Sequence, residues 1–185
     1  MMSAKKYLAT LALVACVSAG PDEEKVTSIP DYPEFTFGVY SGYINNLNNT
    51  TKNIHYLLAE SQGDPRKDPL IVWYNGGHGC SSMLAWAQEH GPFLQESTSQ
   101  AFHKNPYSWN TEANVLYIEQ PAGVGYSSCD WDAHPEDCTH DDNSAARDNL
   151  EVLLQWFEKY PEYKTSDLYV SGESYGGIYV PFAVN

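Results

Sequence analysis

Apolar and polar positions fall in short blocks along the chain, with no single sustained period. From Phe35 to Ile44 the run FTFGVYSGYI is aromatic and alternates loosely, which predicts a strand. The Asn-rich stretch after it predicts a hairpin connection, with Ile54 to Ala59 as the returning strand. Gln62 to Pro69 is a charged turn. Leu70 to Tyr74, LIVWY, is continuously apolar, as in a strand buried on both faces at the centre of an α/β sheet. Ser81 or Ser82 can cap a helix over Met83 to Glu89. Val115 to Ile118 and Leu168 to Val170 predict two further buried strands. Between them, Asn143 to Tyr160 places Ala146, Leu150, Leu153, Leu154 and Phe157 at helical spacing, and Pro161 ends that helix. Each buried strand runs into a glycine-bearing loop. Strand, glycine loop, helix is the grammar of an α/β fold, a central sheet with flanking helices.

Composition narrows the class. With 42% hydrophobic and 14% aromatic residues in 185, the chain has apolar surface for a real core and is not a disordered sequence. A formal charge of −14 argues against a nucleic-acid partner, which needs a basic face. Lys5 and Lys6 precede an apolar run of eleven, Tyr7 to Val17, and Val17-Ser18-Ala19 offers small residues at a cleavage site. Residues 1–19 therefore read as a secretory signal peptide, since a bilayer span needs about 18 or more apolar residues. Residues 20–185 form the remaining domain, expected to be free of the membrane after cleavage. Cleavage removes two lysines and takes the charge to −16.

In an oxidising compartment Cys129 and Cys138, nine residues apart in the turn-rich CDWDAHPEDC, are expected to close a small loop by a disulfide. Zinc is the rival reading because His134 and His140 are nearby, but neither CxxC nor a helical HxxxH is present; no metal and no cofactor are expected. Cys80 is left odd. Asn48 and Asn49 begin overlapping glycosylation sequons, of which one is expected to be used.

Chemistry concentrates in two loops. Gly172-Glu173-Ser174-Tyr175-Gly176 fits G-x-S-x-G between a strand and a helix, where a serine sits on a sharp turn with its hydroxyl exposed at the sheet edge. An oxyanion hole in such a fold takes one amide from the residue after the nucleophile and one from a loop after an earlier strand. Asn75-Gly76-Gly77, following LIVWY, can present the second.

Three segments carry a resemblance. Trp73-Tyr74-Asn75-Gly76-Gly77-His78-Gly79-Cys80-Ser81-Ser82 resembles the W-x-N-G-G-P-G-C-S-S segment of the serine carboxypeptidases. Glu119 to Ser127, EQPAGVGYS, is similar to their D-Q-P-x-G-x-G-[FY]-S, and Gly172 to Pro181, GESYGGIYVP, to their active-site signature. The resemblance runs from about Tyr32 to Pro181. It implies an α/β-hydrolase fold, of which this chain supplies the N-terminal part. It also implies a secreted, lysosomal or vacuolar enzyme that releases residues from peptide and protein C-termini through an acyl-enzyme on Ser174. By the resemblance, the Gly77 and Tyr175 amides form the oxyanion hole. Asn75, Gly76, Glu89 and Glu173 bind the substrate carboxylate, supported by Trp73. Two carboxyls held together cannot both ionise easily, so one stays protonated and donates a hydrogen bond to the substrate; activity on peptides is expected mainly at acidic pH.

The sequence also departs from the pattern. His78 stands where the family has proline, and Glu119 where it has aspartate. In this fold the triad order is Ser, Asp, His, yet only eleven residues follow Ser174, and none of the six histidines matches the family's base. Cys80 resembles a family cysteine bridged to a downstream partner. The expectation is a chain that is inactive and poorly folded alone, with an unpaired sheet edge. The alternatives are a non-catalytic secreted binding protein, or an acyltransferase or esterase of the same fold.

Overall fold

The computed structural model describes residues 21–95 and 101–184, so the expected signal peptide lies outside the described residues. Seven strands and two α-helices are described: β1 Val39–Ile44, β2 Ile54–Ala59, β3 Leu70–Tyr74, β4 Phe93–Gln95, β5 Phe102–Lys104, β6 Asn114–Ile118, β7 Leu168–Gly172, α1 Asp142–Lys159 and α2 Gly176–Ala183. Five strands form one mixed sheet in the order β1-β2-β6-β3-β7, and β4 pairs with β5 separately. β6, β3 and β7 run parallel, while β2 is antiparallel to both β1 and β6.

Because side chains alternate across a strand, the sheet has two different faces. Tyr40, Tyr56, Leu58, Val72 and Leu116 pack beneath Val152, Leu153 and Trp156 of α1. Val39, Leu57, Trp73, Val115 and Tyr117 face Ala85 and Trp86 on the other side. An aromatic cluster extends this second layer: Tyr32 stacks on Phe102 at 3.8 Å between ring centres, and Phe93 on Phe35 at 5.8 Å.

β2 and β3 have the predicted bounds, and four other readings need correction. The first strand begins at Val39, because Phe35 and Phe37 leave the sheet to join the aromatic cluster. The short β4–β5 pair has no clear alternation and was not predicted. The buried stripe of α1 is Ala145, Asp148, Asn149, Val152, Leu153 and Trp156. Leu150 and Leu154, placed on the buried face from the sequence, are 48% and 54% exposed. Reading hydrophobicity alone rotated the helix, because Asp148 is buried against Lys52 at 2.7 Å and Asn149 against Gln120 at 3.3 Å. Finally, among the described residues β7 pairs with β3 alone, and Leu168 and Tyr169, expected in a buried strand, are 46% and 58% exposed.

Candidate active site

Parallel pairing of β3 with β7 sets Tyr74 opposite Gly172, so both strands leave the sheet at the same edge. Asn75 and Glu173 follow directly, which is why two motifs about a hundred residues apart converge. The Glu173 amide donates to the Tyr74 carbonyl at 3.3 Å. Ser174 then takes φ of +52°, a left-handed conformation that a residue with a Cβ occupies at a cost. Ser174 is exposed, and α2 starts beneath it with Gly176 N donating to Glu173 O at 2.6 Å and Gly177 N to Ser174 O at 3.0 Å.

The first glycine loop lies against this elbow. A Cβ at Gly76 would stand 2.6 Å from Glu173 O, 2.6 Å from Tyr175 N and 2.8 Å from Ser174 Cβ, so only glycine allows the approach. Gly77 follows at φ of +113°. Ser82 holds the base of the loop, accepting from Asn75 N at 3.1 Å and donating to Ile118 O at 2.7 Å. Ser81, not Ser82, serves the predicted helix start, accepting from Met83 N at 3.1 Å. That helix differs from expectation: Ala85–Glu89 is a widened π-helical turn, and it delivers Glu89 to the loop.

Asn75 organises the polar centre. The Trp73 indole only donates, and its Nε1 lies 2.7 Å from Asn75 Oδ1, which fixes the orientation of the amide. The amide nitrogen therefore points the other way and donates to Glu89 Oε1 and Glu173 Oε1, each at 3.1 Å. Partial burial pushes the Glu89 carboxyl above its usual range; the Asn75 hydrogen bond opposes the rise and the charge of Glu173 adds to it. Trp73, Asn75, Gly76, Glu89, Glu173, Ser174 and Tyr175 thus gather at one sheet edge, with Gly77 on the adjoining turn.

His78 is exposed beside this group, its ring edge-on to Tyr175 at 5.4 Å. Among the described residues no imidazole hydrogen-bonds to Ser174 Oγ. A cavity of about 250 Å³ next to the elbow is lined by His78, Pro121, His140, Asp142, Tyr175 and Tyr179. Cys129 and Cys138 are joined in the expected disulfide, and among the described residues Cys80 is a free thiol. Asn48 and Asn49 are exposed and distant in sequence from the site, on the β1–β2 connection.

Sequence reasoning missed a polar group under the second loop. Buried Glu119 accepts from Ser81, from His55 at 2.9 Å and from the Tyr126 amide at 2.8 Å. Burial alone would raise its pKa, but these hydrogen bonds outweigh it and hold the carboxyl below the usual range. The available signal was Glu119 itself, an acid at the end of an apolar strand.

Residues 30–185 match the family model described as serine carboxypeptidase. The chain is 43% identical over 164 residues to the lysosomal protective protein of Mus musculus, covering 88% of this chain and 33% of that protein. It is 38% identical over 181 residues to serine carboxypeptidase-like 21 of Arabidopsis thaliana, covering 94% of this chain and 36% of that one. Among solved structures it superposes on Kex1(Δ)p, a prohormone-processing carboxypeptidase from Saccharomyces cerevisiae. The TM-score is 0.73 at 27% identity, covering 88% of this chain and 38% of that chain. The chain thus spans about a third of the length of the curated relatives it matches.

Proposed function

From the premise that the chain belongs to the serine carboxypeptidase family, we propose that it carries the nucleophile and substrate-carboxylate site of a serine-type carboxypeptidase. The observation that carries this reading is the single Asn75 amide donating to both Glu89 and Glu173 beside the Ser174 elbow. An esterase has no use for such a pair, since an ester presents no free carboxylate.

In this reading the peptide's terminal carboxylate sits on Asn75 and the Gly76 backbone, and takes a hydrogen bond from whichever of Glu89 and Glu173 holds the proton. Trp73 keeps the Asn75 amide facing it. Ser174 Oγ attacks the last peptide carbonyl, and the oxyanion that forms is bound by the amides of Gly77 and Tyr175, near the N-terminus of α2. The base belongs to segments of the whole protein that follow α2 in the triad order of this fold. The amino acid leaves, and water releases the shortened peptide from the Ser174 ester.

The disulfide, the sequons and the signal-like N-terminus support a place in the secretory pathway, either secreted or in a lysosome or vacuole. Release of the C-terminal residue from a blocked dipeptide by the whole protein tests the reading. The Ser174→Ala form should lose release by about 10⁴-fold or more while still binding the peptide. Saturable binding of a free C-terminus with no release by the unmodified protein would favour a carboxylate-binding role without turnover.

A further inference from the structure

Strands β1 and β2 lie at the opposite edge of the sheet from β7, and they carry a second serine that the proposed reaction does not use. Tyr43 is paired with His55 and Ser41 with Leu57, so Ser41 and His55 share one face of the sheet as diagonal neighbours. His55 Nε2 lies 2.8 Å from Ser41 Oγ, and His55 Nδ1 lies 2.9 Å from Glu119 Oε2. The carboxylate of Glu119 only accepts, because Ser81 and the Tyr126 amide donate to it as well. Nδ1 must then carry the imidazole proton, leaving Nε2 to accept the proton of Ser41. Tyr43 and Tyr126 pack on the His55 ring at 5.2 and 5.3 Å and fix its plane.

Ser41 and His55 both line a cavity of about 360 Å³. Its other walls are mainly apolar, with Val26, Ile29, Leu57, Met83 and Trp86 among them. His55 and Glu119 are buried while Ser41 is half-buried, so the serine is the most accessible member of the relay. A buried acid orienting a histidine that accepts from a cavity-facing serine is the connectivity of an activated nucleophile.

We propose that Ser41, His55 and Glu119 form a second nucleophilic site that takes esters of short apolar acyl chains. Ser41 Oγ attacks the ester carbonyl as its proton passes to His55 Nε2. The tetrahedral adduct collapses, and the departing alkoxide takes that proton and leaves as the alcohol. Water then adds to the Ser41 ester with His55 again as base, giving the carboxylic acid and free Ser41. Glu119 stays ionised throughout and stabilises the imidazolium. Tyr32 and Tyr126 also line the cavity, and in this proposal their phenols supply the donors to the oxyanion. Side-chain donors are less fixed than backbone amides, so deacylation is slow and the covalent adduct accumulates.

The test uses the full chain carrying Ser174→Ala, which separates this site from the one proposed above. The chain is treated with an alkyl fluorophosphonate, which phosphonylates an activated serine with loss of fluoride, and the modified peptide is mapped by mass. The expected result is an adduct on Ser41, formed more slowly in the presence of p-nitrophenyl butyrate and absent from Ser41→Ala. His55→Gln should slow its formation by about 100-fold or more. The inference is overturned if Ser41 stays unmodified in a Ser174→Ala chain with native circular dichroism. An adduct forming at the same rate in folded His55→Gln would also overturn it. Labelling of Ser174 in the whole protein carrying Ser41→Ala reads the first site independently.

Discussion

Gly76→Ala is the sharpest perturbation of the proposed oxyanion hole. The added methyl would meet Glu173 O and Tyr175 N at 2.6 Å, and both are backbone atoms that cannot swing aside. Ordinary contact starts near 3.4 Å, so the loop must retreat by about 0.8 Å or the elbow must open by as much. Either movement carries the Gly77 amide away from the position where the oxyanion forms. Losing one such donor costs about 10²–10³ in turnover, or about 3–4 kcal/mol of barrier. Gly177→Ala is the matched control, since a Cβ there meets nothing within 4 Å and the residue is helical. Steady-state kinetics on a blocked dipeptide should show Gly76→Ala reduced about 100-fold or more in kcat, with KM changed much less. Gly177→Ala should stay near the parent. A Gly76→Ala protein that folds and keeps parental kcat would refute the claim that this loop and elbow jointly form the hole.

Four other outcomes are expected. Glu89 has a raised pKa and donates only while protonated, so peptide KM should rise as pH climbs through that pKa; Glu89→Gln, whose amide donates at any pH, should flatten this limb. The same shift makes ionised Glu89 oppose folding, so stability falls as pH rises from its ordinary value past the raised one, and urea titrations of Glu89→Gln should lack that fall. Lys52→Met leaves buried Asp148 with only the Asn48 amide at 3.0 Å and should cost about 3–5 kcal/mol in urea unfolding, whereas Lys52→Met with Asp148→Leu should recover most of the loss. Asn48 Nδ2 is already engaged with Asp148 while Asn49 is exposed, so intact-mass analysis of secreted protein should show the glycan lost in Asn49→Gln and kept in Asn48→Gln.

What could be read from the sequence follows from where the signals are local. LIVWY is unbroken and IHYLLA is interrupted only by His55, so β3 and β2 were legible to the residue. The elbow was legible because a glycine pattern directly follows an apolar run. The face of α1 was not, since its orientation is set by Asp148 and Asn149, whose burial depends on partners about a hundred and about thirty residues away. An unpaired sheet edge was expected, but not that β7 would form it, because strand order is a property of the sheet and not of the segment LYV. Within the site, the residues of the two loops were found by motif. Their geometry was not: the widened turn before Glu89 and the Trp73–Asn75 bond that aims the amide are tertiary facts. The Ser41–His55–Glu119 chain joins two strands and the loop that follows β6, and leaves no trace in any single window of sequence.

Recognition of a free C-terminal carboxylate by Asn75, Glu89 and Glu173 is the central claim, and matched substrates test it directly. A blocked dipeptide and its C-terminal amide differ only in the group that this constellation is proposed to hold. With the whole protein at acidic pH, kcat/KM for the free acid should exceed that for the amide by about 100-fold, the equivalent of one charge-assisted hydrogen bond of about 2–3 kcal/mol. Asn75→Ala should erase most of that difference. Equal cleavage of the acid and the amide by the unmodified protein would contradict the account.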